Sequence, residues 1–437
     1  MSHGRCCLVL ALVLAAGAAP GWAGDWPGWR GPTGMGQCDE KDLPLTWDAR
    51  TGTNVLWKVP LRGGETSSEA RSPGVSSPIA WRDRVFVTTA VWPAGLAPKD
   101  RDRVIAEHHV ICYRAADGQQ LWDTTVPDGR CRVNNPWHGY ATPTPVTDGT
   151  HVFALFGSSV VACVDFDGRI VWRQELPRGV RDDVHGGECS SPVLYDDTVI
   201  VMGCQTTGLR ALDKKTGKLR WQQTSHDRNG MATPVLIRVG RRAQLIHFAG
   251  GVQGLDPATG KVLWFCRTAT DWASPVYGSG LLYADAGTRS VFPNGTPGTG
   301  AAIDPTGRGD VTKTHVRWRT KVPEADGASA VVAGEYLCRV GKPDVLWCWK
   351  LGTGELVFEE RLQGVNTMAS PIATADGRVY FACAAKSYVI RVGPEFELLG
   401  SGDLRDGHDY HSSSTPAVSG GRLFIKGKTH LWCVGKK

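Results

Sequence analysis

A four-residue phrase with proline in last place recurs seven times along the chain. The copies are Val75-Ser-Ser-Pro78, Tyr140-Ala-Thr-Pro143, Cys189-Ser-Ser-Pro192, Met231-Ala-Thr-Pro234, Trp272-Ala-Ser-Pro275, Met368-Ala-Ser-Pro371 and Ser413-Ser-Thr-Pro416. Gly327-Ala-Ser-Ala330 is an eighth copy without the proline. Counted from Pro78, the intervals are 65, 49, 42, 41, 55, 41 and 45 residues. Length alone suggests two or three domains for 437 residues. A period near 40 overrides that reading, because one closed ring of repeats can absorb the whole chain. The two longest intervals mark insertions.

Each phrase is followed by a β-branched and aromatic run, such as Val85-Phe-Val-Thr-Thr89 or Val199-Ile-Val-Met202. A third run ends in a glycine turn, as in Ala211-Leu-Asp-Lys-Lys-Thr-Gly217, and four residues beyond that glycine stands a tryptophan. The pairs are Gly118 and Trp122, Gly168 and Trp172, Gly217 and Trp221, and Gly260 and Trp264, with Phe358 after Gly354. Four short strands joined by tight turns make one blade of a β-propeller. Glycine supplies the positive-φ turn position, and the aromatic fills the wedge between blades. Thr259-Gly260-Lys261 is therefore a hairpin turn and not a phosphate loop.

The last unit has three strands and then the chain stops. Its fourth strand is supplied from the other end, where Thr51-Gly52 precedes residues 54–61 with Trp57. The expected fold is all-β: one eight-bladed propeller of four-stranded antiparallel blades, closed by pairing residues 54–61 with the C-terminal strands. Residues 24–53 are expected to form an extension packed on the propeller, which occupies 54–437.

Residues 1–23 read as a secretory leader. Arg5 precedes an apolar run over 6–19, and Gly21-Trp22-Ala23 offers a small-x-Ala cleavage site. Fourteen apolar residues fall short of the roughly 20 that span a bilayer. A mature chain starting near Gly24 is expected to be exported, periplasmic or extracellular, and monomeric. Without residues 1–23 the net charge is (49 − 1) − 43 = +5, with no dense basic block, which argues against nucleic acid as a partner.

The tandem blades resemble the exported PQQ-like (pyrrolo-quinoline quinone) repeat propellers, which include quinoprotein dehydrogenases and BamB-type assembly propellers. Three further stretches resemble a branch of exported bacterial members: Trp26-Pro-Gly-Trp29-Arg-Gly-Pro32 with Leu43-Pro44 and Trp47, the segment Gly309-Asp310 through Trp318, and His430-Leu-Trp-Cys-Val-Gly435. The resemblance implies the propeller strongly and an activity only weakly, because sites are grafted onto a shared scaffold.

The 11 cysteines beyond residue 23 include no Cys-x-x-Cys, so neither a zinc ribbon nor a covalent haem is indicated. Cys112, Cys163, Cys348 and Cys433 occupy one blade position, held elsewhere by Ala211, Gly254 and Ala302, which reads as a small buried slot. Cys204, Cys338 and Cys383 fall in or just after second strands and read as structural thiols. Cys38, Cys131, Cys189 and Cys266 lie in or near connections and could pair, but spacing assigns no partners.

The connections leading into the innermost strands converge at one mouth of a propeller's axis. Here they carry Trp137, His138, His185, His226, Asp227, Asn229, Asp271, Trp272, Asp326, Asn366, His408, Asp409 and His411. These are the candidate ligand-binding residues, weighed against the ordinary polarity of loop tips. No catalytic residue or metal-ligand set stands out by spacing. The resemblance to quinoproteins implies PQQ with Ca²⁺ in this funnel, and Asp271, Asn229, Asp409 and Trp272 are of suitable types. The vicinal cysteine pair of the alcohol-oxidising branch has no counterpart in the mature chain. The expected function is a non-catalytic exported binding or scaffold propeller, with no cofactor, taking an unknown protein partner or small ligand at the channel face. The alternatives are a PQQ- and Ca²⁺-dependent dehydrogenase and a BamB-like envelope assembly scaffold. Arg308-Gly309-Asp310 spells an adhesion tripeptide by chance in a turn, and residues 99–103 read as a mixed-charge solvated loop.

Overall fold

The computed structural model describes residues 24–64, 74–129, 132–133, 139–177, 183–184, 189–203, 208–224, 231–270, 272–286, 298–322, 327–406 and 414–437. Eight antiparallel sheets stand in chain order as eight blades. Blade 1 is built from Ile79–Trp81, Arg84–Val91, Glu107–Arg114 and Gln120–Val126. Blades 2 to 7 begin at Val146, Val193, Val235, Val276, Val331 and Ile372. Blade 8 takes Ala417–Ser419, Arg422–Lys426 and His430–Gly435 from the C-terminus and Val55–Pro60 from the N-terminus, with Trp57 opposite Cys433. The chain closes its own ring.

The recurring phrase makes the hub. In every copy the last residue before the proline position is Ser or Thr, and its hydroxyl accepts the backbone N–H of the matching residue in the preceding blade. The series runs Ser77, Thr144, Ser191, Thr233, Ser274, Ser329, Ser370, Thr415 and back to Ser77, at 2.8 to 3.2 Å. All eight residues are buried. In seven of them the following proline holds the ring residue extended, while Ser329 is followed by Ala330. The second copy corrects the sequence register. Its ring member is Thr144 before Pro145, so the phrase is Thr142-Pro143-Thr144-Pro145 rather than one ending at Pro143.

Outer strands are clasped by tryptophan. Each indole N–H donates to a carbonyl in the following blade: Trp57 to Ala115, Trp122 to Phe166, Trp172 to Lys214, Trp221 to Pro257 and Trp318 to Leu351, at 2.7 to 3.1 Å. Each ring lies over the turn glycine of that next blade. A Cβ on Gly118 would stand 2.8 Å from the Trp57 ring, and one on Gly354 2.7 Å from Trp318. Glycine is thus needed twice there, for its positive φ and for the ring above it.

Blades 4, 6 and 7 depart from this pattern, and in blade 6 the position is Phe358, packed edge-on against Phe396. In blade 5 the turn is replaced by an insertion whose Gly309–Asp310 strand pairs in parallel with the outer strand of blade 4. Trp264 there is fully buried and donates to Gln244 Oε1 at 2.6 Å. In blade 7 the aromatic position is Gly400, and the N-terminal extension takes its place: Trp47–Asp48 pairs with the outer strand and Trp47 lies over Gly402.

The small slot faces the aromatic across the sheet, with Cys112, Cys163, Ala211, Gly254, Ala302 and Cys348 opposite Trp122, Trp172, Trp221, Trp264, Trp318 and Phe358. The nine described cysteines are unbridged. Cys38, Cys189 and Cys266 stand on different elements, while Cys131 and Cys204 lie outside the described residues. Burial pushes the Cys112, Cys163 and Cys433 thiols up to about 12. Residues 99–103 are more than a solvated loop. Pro98–Arg103 is a short 3-10 turn that lays the buried Arg101 over the Trp92 ring, 4.8 Å from its centroid.

Where blade 8 meets blade 1, Lys426 is fully buried, and its Nζ donates to Gly74 O, Ser76 Oγ and Thr88 O at 3.1, 2.8 and 3.1 Å. Burial lowers its pKa to about 7. Between that value and the ordinary lysine value of roughly 10.4, the unfolded chain holds more protons, so this group makes the fold more stable as pH rises through the window. Denaturant titrations of wild type and Lys426→Met from pH 7 to 10 test this: the wild type should gain stability relative to the variant as pH rises. A second test is Trp57→Ala, which removes the closing clasp. It should cost about 3–5 kcal/mol in chemical unfolding, well beyond a change at the exposed Leu121.

Candidate functional site

In an extended strand, residues two apart face the same way. The residues two before each ring hydroxyl therefore line the axis with it. Val75, Thr142, Cys189, Met231, Trp272, Gly327 and Met368 form an upper collar, and seven of the eight ring residues stand below them around a cavity of about 120 Å³. Trp272 is partly exposed at the mouth. Gly327 stands between the Trp272 ring and Met368 Cε, each 3.7 Å from where its Cβ would be, and its φ of 128° favours glycine.

The opposite end is floored by the N-terminal extension. Trp26 exchanges backbone hydrogen bonds with Ala80 at 2.8 and 3.0 Å, and Gln37–Cys38 pairs in parallel with the innermost strand of blade 7. Between these anchors Trp29 lies on the axis. It borders both the lumen and a groove of about 310 Å³ on the floor face, and so separates the two. Arg30 is fully buried beside it, its guanidinium carbon 5.6 Å from the Trp29 ring centroid. Its Nη2 donates to Ala330 O at 2.6 Å and Pro371 O at 3.3 Å. Gly36 wraps this group so closely that a Cβ would stand 2.7 Å from Nη2, and its φ of 79° also demands glycine.

Two of the residues expected from sequence are described. Trp272 lies at the mouth of the lumen. Asn366 has its Oδ1 committed to the backbone N–H groups of Met368 and Ala369, at 2.8 and 3.0 Å, so it shapes the turn into the innermost strand of blade 7. Trp137, His138, His185, His226, Asp227, Asn229, Asp271, Asp326, His408, Asp409 and His411 lie outside the described residues. Sequence reasoning did not single out the hydroxyl ring, Cys189, Met231, Met368 or the floor made by Trp29 with Arg30 beside it as a site. The ring carried a legible signal, since Ser or Thr occupies one phrase position in all eight copies.

The lumen's chemistry is donor-rich. Among the described residues its lining holds hydroxyls, a thiol, two thioethers and two indoles, and no carboxylate or imidazole. No three His, Cys, Asp or Glu residues among those described are placed to hold a metal ion. Calcium takes 6–8 oxygen ligands with carboxylates among them; Asp271, Asn229 and Asp409, of suitable type for it, lie outside the described residues.

A family profile described as outer membrane protein assembly factor BamB matches residues 106–274. BamB from Moraxella catarrhalis superposes with a TM-score of 0.56 at 15% identity, over 86% of this chain and 95% of that one. This chain is an all-β propeller resembling those of BamB and the PQQ-type quinoproteins. The computationally designed Ika8 protein gives 0.53 at 13% identity, over 87% and 99% of the two chains. Quinohemoprotein alcohol dehydrogenase from Comamonas testosteroni gives 0.51 at 15%, over 94% and 81%. These identities establish a shared fold. No curated protein sequence matches the chain. Among the described residues no helix is long and apolar enough to cross a membrane.

The ring has a measurable consequence. Ser274→Ala leaves the buried Thr233 N–H without its acceptor, a bond of 2.8 Å. Chemical denaturation should show a loss of about 1–3 kcal/mol, where alanine at the exposed Ser279 should cost almost nothing.

Proposed function

We propose that this chain is an exported, non-catalytic binding propeller that receives a ligand through the mouth of its axial channel. The observation that carries this reading is the channel itself: a narrow lumen of hydroxyls and apolar side chains, floored by Trp29 with the buried Arg30 beside it. A through-pore has no use for such a floor. A pocket with an apolar collar and a few convergent polar groups is instead the usual form of a small-molecule site. In this reading residues 1–23 are a leader removed on export, residues 24–53 are the floor-forming extension, and the mature propeller acts as a monomer. Trp272 at the mouth, with Trp137, His138, His185, His226, Asp227, Asn229, Asp271, Asp326, His408, Asp409 and His411 from the connections, is proposed to contribute to selecting the ligand. The fold shared with BamB and with quinohemoprotein alcohol dehydrogenase is compatible with either a scaffold or an enzyme, because function resides in the site.

Titration of the purified chain with PQQ and Ca²⁺ tests the reading against its enzymatic alternative. The quinone absorbance should stay that of the free cofactor, with no reduction of an electron-accepting dye by added alcohols. A bound-quinone spectrum accompanied by dye reduction would overturn the proposal.

A further inference from the structure

Arg30 is a buried cation without a counter-charge among the described residues. Its burial is complete, and no ionic partner offsets the desolvation that lowers its pKa to about 9, so it still carries its charge at neutral pH. Nη2 has its two carbonyls, but Nε and Nη1 have no hydrogen-bond partner. An isolated buried charge is costly unless an opposite charge joins it. The carbonyls that hold Arg30 belong to Ala330 and Pro371, each one residue beyond a ring hydroxyl, Ser329 and Ser370. The charge therefore sits next to two residues of the ring, behind the lumen lining rather than in it.

The ring beside it has hydrogens to give. Each of the eight hydroxyls accepts one backbone N–H, and none donates its own hydrogen to a described group. A Ser or Thr hydroxyl carries one donor, so seven O–H donors border a lumen whose described lining contains no carboxylate. Donors beside a cation make an electropositive floor. Over it, Val75, Met231, Met368 and Trp272 make an apolar collar.

We propose that the channel binds a small carboxylate on an apolar stem, the carboxylate directed to the hydroxyl ring and Arg30 and the stem held by the collar. The ring reaches the carboxylate directly or through ordered water. This inference rests on the reading of the channel as the binding site and adds the ligand's chemical class.

Calorimetric titration of the purified full-length propeller with hexanoate, 1-hexanol and hexylammonium separates charge from stem. Hexanoate should bind at one site, roughly tenfold or more tighter than 1-hexanol, as a charged hydrogen-bond partner provides. Hexylammonium should not bind. Arg30→Met, a neutral replacement of similar length, should lose that tenfold advantage while 1-hexanol is unaffected, the retained 1-hexanol affinity and a cooperative melting transition confirming the fold. Val75→Trp, which fills the lumen, should abolish binding of all probes. Equal affinity for hexanoate and 1-hexanol, both lost in Val75→Trp, would overturn the carboxylate assignment and leave the channel reading standing. Probe binding that survives Val75→Trp would overturn both. Failure of hexanoate to bind, or binding that Arg30→Met leaves intact, would also overturn the assignment.

Discussion

Eight backbone N–H groups, each held by a hydroxyl of the next blade, close on themselves around the axis. The rest of the molecule depends on that circle. The ring residue before each innermost strand lies outside the sheet ladder, and its buried N–H must find an acceptor or cost stability. A Ser or Thr placed once per repeat meets the need only if another repeat stands beside it, so the device works when the ring is complete. The last link, from Thr415 to Ser77, spans 338 residues. It exists because residues 55–60 complete blade 8 and bring the chain's two ends into one sheet.

The periphery is held by a different interaction. Tryptophan from one blade lies over the turn glycine of the next, burying a ring and satisfying its indole N–H together. Two exceptions show what this contact does. Where the glycine platform of blade 5 is replaced by an insertion, a two-residue strand of that insertion covers blade 4, and Trp264 stays buried in a new way. Where blade 7 lacks the aromatic, the N-terminal extension supplies Trp47 from outside the repeat. In each case aromatic surface is kept from water and a sheet edge is covered, which also guards against edge-to-edge association.

The extension that repairs blade 7 also floors the axis. Its glycine-rich turn bends tightly enough to bury Arg30 against carbonyls of blades 6 and 7, while Trp29 separates the lumen from the groove outside. In the proposed reading, this hydroxyl-lined lumen with its apolar collar receives a ligand that accepts hydrogen bonds.

The repeat made much of this legible. Blade number, the strand at residues 54–61 that closes the ring and the small slot opposite each aromatic are all periodic, and periodicity is written locally. The hydroxyl position was equally visible, but its role was not, because each partner lies at least 41 residues away. The same distance explains the misplaced second copy. Thr142-Pro143-Thr144-Pro145 contains two overlapping phrases, and only the hydrogen bonds to Ser77 and Ser191 select Thr144. Tertiary structure alone decided the site's floor. Arg30 meets its carbonyls across 300 and 341 residues of chain, and no period in the sequence links a residue of the extension to the axis of the repeats.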